Sequence, residues 1–214
     1  MNSGRKEPPS GVDYCWQQTG PVCFAPSVAS YELALEIKSP LSRRHAARVG
    51  YFAVRLAARM GRPTPQIRRI WAAARLHDLG KLFVPESLLA RPGPLSPKEF
   101  RWIERHPVVG AELLAKSGRW NELTRLVLHH HENFDGSGYP DRLTAEKIPF
   151  EARLIRVADS LEAMTSKRPY ACAKSPADAL AELDKAAGIQ LDPLVVRHAC
   201  ELLVSSSGTS LPSL

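Results

Sequence analysis

The sequence predicts an all-α bundle of several helices behind an irregular N-terminal lead-in, and three observations predict it. From residue 27 onward apolar side chains recur at three- and four-residue steps. Glycine and proline punctuate that pattern at helix-sized intervals. Strand is confined at most to a fragment near Leu82–Val84. The 214 residues, 44% hydrophobic and 24% charged, have the composition of one ordinary globular domain with its own core.

Residues 1–26 hold turn-forming pairs such as Pro8-Pro9 and Gly20-Pro21 and read as the lead-in. Leu41, His45, Val49, Phe52 and Leu56 then mark one face of a helix that Gly61, Pro63 and Pro65 stop. A second helix starts near Thr64, carries Ile67, Ile70, Trp71 and Ala74, and runs into His77 and Asp78 before Gly80 ends it. The prolines of 82–97 impose a loop or a short turn of helix. Ser96, Pro97 and Glu99 supply an N-cap, a first-turn proline and a first-turn acid for a helix through Phe100, Ile103 and His106. Pro107 interrupts, and another helix continues from Val108. Further helices are predicted over 121–132, 151–166, 175–187 and 193–204, with the loop Asp135-Gly136-Ser137-Gly138-Tyr139-Pro140 between the first two. The domain therefore spans 27–204, and 205–214 is a small polar tail.

The bulk properties exclude several classes of function. No apolar run approaches the roughly 20 residues of a membrane span, and Arg5 and Lys6 precede no apolar stretch of a secretory signal, so a cytoplasmic location is expected. The 4 cysteines form no CxxC pair, which argues against a disulfide framework or thiolate metal site. A net charge of +7 favours anionic ligands, and the lack of basic runs interleaved with aromatics points to a small anion instead of long nucleic acid.

Of the 7 histidines, six fall between positions 45 and 131, several on apolar helix faces. A bundle core does not cheaply bury that many imidazoles beside aspartates unless a cation organises them, and facing helices are where bundles build metal sites. His77 and Asp78 continue the inward face of their helix, and a carboxylate bridging two ions is the natural role for Asp78. In the run His129-His130-His131, the core direction set by Leu123, Leu126 and Val127 selects His130 and leaves its neighbours undecided. Asp159 lies four residues after Ile155 and seven after Ala152, so it faces inward and needs a metal or an arginine as partner. Lys81, one turn beyond the His-Asp pair, can reach a phosphate as a point charge or cap its helix.

Taken in order, His45, His77-Asp78 with Gly80-Lys81, His106, His130-His131-Glu132 leading into Asp135-Gly136-Ser137-Gly138-Tyr139-Pro140, and Asp159 resemble the HD-GYP family, a branch of the HD phosphohydrolases. The resemblance covers about residues 27–203 and includes Ile148-Pro149 and Arg168-Pro169-Tyr170. It implies an HD-type helical bundle with His45, His77, Asp78, His106, His130, His131 and Asp159 as metal ligands, and it leaves His129 a bystander. It further implies hydrolysis of cyclic di-GMP on iron or manganese, with nickel or zinc also suited to nitrogen and oxygen donors.

Asp78 and Lys81 are the catalytic candidates, the nucleophile being a hydroxide bridging the ions. Lys81, Arg168, Gly138, Tyr139 and Pro140 are the candidates for substrate contact. Three-metal members place a glutamate one turn before the first histidine, where this chain has Leu41, so a two-metal centre is expected, with the linear product pGpG favoured over full conversion to GMP. Glu162 stands where many members have aspartate and keeps the charge. A slow, metal-containing cyclic di-GMP receptor is the alternative. A diguanylate cyclase or separate regulatory protein is a candidate partner, docking at the Gly138-Tyr139-Pro140 loop, and a homodimer is left open.

Overall fold

The computed structural model describes residues 25–206, apart from 90, 92, 119 and 167–172. Its helices are α1 (Ala25–Lys38), α2 (Pro40–Arg59), α3 (Thr64–Leu76), α4 (Glu86–Leu89), α5 (Pro97–Glu104), α6 (His106–Lys116), α7 (Asn121–Leu128), α8 (Phe150–Thr165), α9 (Pro176–Ala186) and α10 (Pro193–Ser206). Short 3₁₀ turns cover Leu79–Phe83 and Ala145–Lys147. No strand occurs among the described residues, and the stretch that held a strand fragment in prospect is mostly 3₁₀ turn. None of the described helices is long and apolar enough to cross a membrane.

Local chemistry sets most of these limits. Ser39 caps α2 by accepting from the Ser42 N–H at 3.3 Å, and Pro40 occupies the first turn, where its missing donor is harmless. Along α2 the buried set Val49, Phe52, Ala53, Leu56 and Ala57 follows helical steps. Ser96 and Glu99 form a reciprocal capping box at the start of α5, with the Ser96 N–H donating to Glu99 Oε2 at 2.9 Å. α1 begins at Ala25, two residues inside the lead-in drawn from the sequence.

Around the central α3, α2 packs on α3 and α8, and α7 packs on α6, α3 and α8. Leu56, Ile70, Leu76, Leu123, Leu154 and Ile155 meet there without exposure, each burial stabilising the fold by about 1.5–3 kcal/mol. A partly buried Arg75–Glu32 ion pair ties α1 to α3.

Three boundaries differ from the sequence reading, and all three matter for function. α3 stops at Leu76, and the chain tightens through Asp78 (φ −91°, ψ 8°) into the 3₁₀ turn, with the Lys81 N–H bonded to the Asp78 carbonyl at 2.9 Å. The break between α5 and α6 falls at Arg105, so His106 opens α6 with Pro107 in its first turn. α7 ends at Leu128, leaving His129, His130 and His131 in the turn beyond it. Each predicted helix end placed its histidine on the last or next turn of a helix, whereas the backbone has left α-geometry by then.

Candidate metal centre

Those three helix termini aim at one point. Where the 3₁₀ turn crosses α6, Gly80 lies so near that a Cβ on it would sit 2.0 Å from the His106 carbonyl oxygen and 2.8 Å from the Gly110 nitrogen. Contact of backbone on backbone puts Asp78 beside the first residue of α6. His106 Nε2 is then 3.3 Å from Asp78 Oδ1 and 3.2 Å from His130 Nε2. From α2, His45 Nε2 approaches Asp159 Oδ1 of α8 at 3.2 Å and Asp78 Oδ2 at 3.8 Å.

The donors fall into two groups, Asp78, His106, His130 and His131 in one and His45, His77 and Asp159 in the other, the atoms of each lying within 4.8 Å of one another. Asp78 joins them, since its Oδ2 also lies 3.5 Å from His77 Nε2. All seven residues named from the sequence as ligand candidates are thus brought to one place between α2, α3, α6 and α8.

Ring orientation shows that the site suits cations. His77, His106 and His130 each donate from Nδ1 to the carbonyl three residues back, at 2.7, 2.6 and 2.6 Å, to Ala74, Ile103 and Val127. That bond fixes the tautomer, so each Nε2 presents a lone pair to the centre. Two such lone pairs face each other between His106 and His130, and Asp78 Oδ1 is buried with no hydrogen-bond donor among the described residues. Lone pairs gathered around a buried carboxylate repel unless a cation lies among them, and these nitrogen and oxygen donors fit a divalent transition metal.

Charge follows the same geometry. Burial alone would raise the Asp78 carboxyl, but His77, Lys81 and His106 hold it well below the usual carboxylate range. Asp159 is likewise held low against its burial, first by the His45 hydrogen bond. Burial drives His130 and His131 well below the ordinary imidazole value, and His77 below it as well, keeping the rings neutral as ligands must be. His45 differs: burial lowers it, yet hydrogen bonds to Asp159 and Glu162 raise it to about 9.

Residues around the cluster hold it in place. Glu162, set aside in the sequence reading as a change that keeps charge, accepts from His45 Nδ1 at 2.6 Å, accepts a short bond from Ser166 and pairs with Arg48 at 3.4 Å. Its signal in the sequence was the i+3 step from Asp159, which puts both acids on one face of α8. A carboxylate behind a ligating imidazole typically changes metal affinity or activity by about 10- to 100-fold, and that loss is expected for Glu162→Ala. Metal content by mass spectrometry, read beside unchanged helical circular dichroism, checks it.

Arg156 Nη1 donates to His131 Nδ1 at 3.2 Å, and its Nη2 to Asn133. Glu132, unassigned from the sequence beyond its place in the motif, is buried and accepts from the Asp141 and Leu143 N–H groups at 2.7 and 3.1 Å. It anchors the Gly138-Tyr139-Pro140 loop. His129 lies near Glu132 and Asp141, at 3.7 Å from each, and belongs to neither donor group.

Among the substrate candidates, the Tyr139 ring stacks on His131 with centroids 5.0 Å apart, and the bond from Tyr139 to Pro140 is cis. Gly138 is buried where a Cβ would meet the Asn133 nitrogen at 2.2 Å. Lys81 Nζ sits 2.7 Å from Asp78 Oδ2, so it touches the centre directly. Arg168 lies outside the described residues.

A helical bundle that gathers five imidazoles and two carboxylates in two adjoining groups can hold divalent metal ions. The HD domain family profile matches residues 30–195, and the chain belongs to that family, in its HD-GYP branch. It is 43% identical over 151 residues to the cyclic di-GMP phosphodiesterase response regulator RpfG of Xanthomonas campestris, covering 70% of this chain and 40% of that protein. A cyclic di-GMP phosphodiesterase of Thermotoga maritima is 37% identical over 169 residues, covering 78% and 46%. The chain therefore spans less than half the length of either relative. A 3′3′-cGAMP-specific phosphodiesterase of Vibrio cholerae is 36% identical over 139 residues, covering 64% and 27%. Among solved structures, Bd1817 of Bdellovibrio bacteriovorus, a protein of the HD-GYP type, superposes with a TM-score of 0.65 at 22% identity, covering 90% of this chain and 63% of that one. The HD domain of PgpH from L. monocytogenes, in complex with cyclic-di-AMP, gives 0.62 at 16%, covering 86% and 99%. These two likenesses show the shared fold.

Proposed function

We propose that the chain is a metal-dependent phosphodiesterase that opens cyclic di-GMP to linear pGpG on two divalent ions. Asp78, His106, His130 and His131 would hold one ion, and His45, His77 and Asp159 would hold the other, with Asp78 placed to serve both. The observation that carries this reading is the division of the donors into two groups with one buried carboxylate touching rings from both. Bound there, the ions supply Lewis acidity towards a phosphoryl oxygen and lower the pKa of water to near neutrality.

The protein's own groups do the rest. Carbonyl-anchored imidazoles keep their lone pairs inward, and Glu162 does the same for His45. Lys81 Nζ pairs with Asp78, so it stands close enough to the centre to offer a substrate phosphate a point charge. The fixed, buried dipoles need no reorganisation as charge builds on the phosphate, which is where such sites gain most of their rate. Leu41 is 55% exposed and offers no donor, in keeping with two ions and a pGpG product. The donor set accepts iron or manganese, with nickel or zinc as alternatives. Cyclic di-GMP is preferred to 3′3′-cGAMP because the more similar relatives are named for it.

The test is product chromatography after incubating anaerobically purified protein, loaded with Mn(II) or Fe(II), with cyclic di-GMP and separately with 3′3′-cGAMP. Accumulating pGpG, formed faster than any 3′3′-cGAMP product, is expected. Binding of cyclic di-GMP without cleavage would reassign the chain as a receptor.

A further inference from the structure

Tyr139 belongs to two neighbourhoods. Its ring packs on His131 of the metal cluster, and it also lines an open cleft of about 670 Å³ with Arg101, Glu104, Arg105, Ser137 and Arg142. That volume is within the range of sites that take a small organic ligand. Arg101 and Arg105 lie one turn apart and so share a helix face, while Arg142 arrives from the loop after Pro140.

The charge in this cleft is unbalanced. Arg43, Arg59, Arg69, Arg75 and Arg153 all have carboxylate partners. Arg101, Arg105 and Arg142 have none among the described residues, and Arg105 has only the Trp102 ring, 5.9 Å from its guanidinium carbon. Three exposed guanidinium groups line this one cleft with Glu104 as its single lining acid, so the cleft carries an excess of positive charge that favours an anion.

Arg142 is also held at a backbone cost. Its φ of 53° is in the left-handed region, which costs a non-glycine residue on the order of 1 kcal/mol. Glu132, next in sequence to His131, clamps the chain on both sides of it by accepting from the N–H groups of residues 141 and 143. The side chain that follows the metal cluster in sequence thereby fixes where Arg142 stands.

We propose that Arg101, Arg105 and Arg142 form a specificity subsite for the phosphate and guanine of the dinucleotide that lie away from the metals. The inference rests on the phosphodiesterase reading and adds the residues that select a cyclic dinucleotide over a smaller diester. Guanidinium groups suit the task because they bind phosphate oxygens, or the O6 and N7 edge of guanine, in bidentate fashion.

The test compares steady-state kinetics of the metal-loaded full chain on cyclic di-GMP and on bis(p-nitrophenyl) phosphate, a diester with no nucleotide and no second phosphate. The Arg101→Ala/Arg105→Ala double variant is expected to raise KM for cyclic di-GMP about tenfold or more, and to lower the preference for it over the small diester by a similar factor. Arg142→Gly suits a positive φ, so it removes the charge without straining the loop, and a several-fold rise in KM is expected. An Arg105→Lys variant restores charge but not the fork, and should regain only part of the affinity. If the wild type cleaves cyclic di-GMP and the variants keep its KM and its preference, the subsite is wrong while the phosphodiesterase reading stands. A fall in kcat on both substrates alike, with KM unmoved, would also overturn it, because that marks a structural role. If the wild type cleaves only the small diester, the reading of the substrate fails and the subsite fails with it.

Discussion

Asp78→Asn is expected to strip the protein of metal and to lower cyclic di-GMP hydrolysis by more than about 10³-fold, because in the proposed centre one carboxylate would serve both donor groups. Among the described residues Asp78 is the one acid placed against His45, His77 and His106 together, and Lys81 leans on it as well. Asparagine keeps the shape and removes the charge, so the two donor groups lose the one anion between them. The fold should survive, since the substitution takes a buried charge away instead of adding one. Circular dichroism beside metal analysis separates the two effects, and a variant that kept its metals would contradict the shared role.

The second large effect is on stability. Gly80→Ala would drive a methyl group to within 2.0 Å of the His106 carbonyl and 2.8 Å of the Gly110 nitrogen. Neither neighbour is the free end of a side chain, so the 3₁₀ turn and α6 must part. A cost of about 3 kcal/mol or more is expected, above the usual range for overpacking because backbone meets backbone. For a chain of this size that is a fall of roughly 6–12 °C in Tm. The same separation moves Asp78 from His106, so metal retention should fall with stability. A thermal melt with Tm near wild type would show that the crossing yields easily and is not what sets the site.

Much of this was legible in the sequence. The helical periods of α2, α3 and α8 gave their faces and, with α9 and α10, most helix ends within two residues, because buried apolar positions and proline-bearing first turns are written locally. The seven ligand candidates could be named because the motifs that carry them lie in a recognisable order. The helix ends at Leu76, Arg105 and Leu128 were not legible. Apolar spacing counts which residues face inward but does not register where the backbone exchanges α for 3₁₀ hydrogen bonds, and the site is built at those exchanges. Gly80 read as a helix stop, whereas its missing Cβ serves a contact with a residue 26 positions away, which no local pattern encodes. Glu132 and Glu162 were named without a role, and Arg142 was not named, for a related reason: their parts are set by tertiary contact and by a backbone φ.

Diffraction from crystals of anaerobically purified protein, recorded on both sides of the iron or manganese absorption edge, tests the two-ion centre directly. Two anomalous peaks are expected, one among Asp78, His106, His130 and His131 and the other among His45, His77 and Asp159, with the Asp78 carboxylate between them. A single peak, or scattering confined to some other part of the bundle, would contradict it.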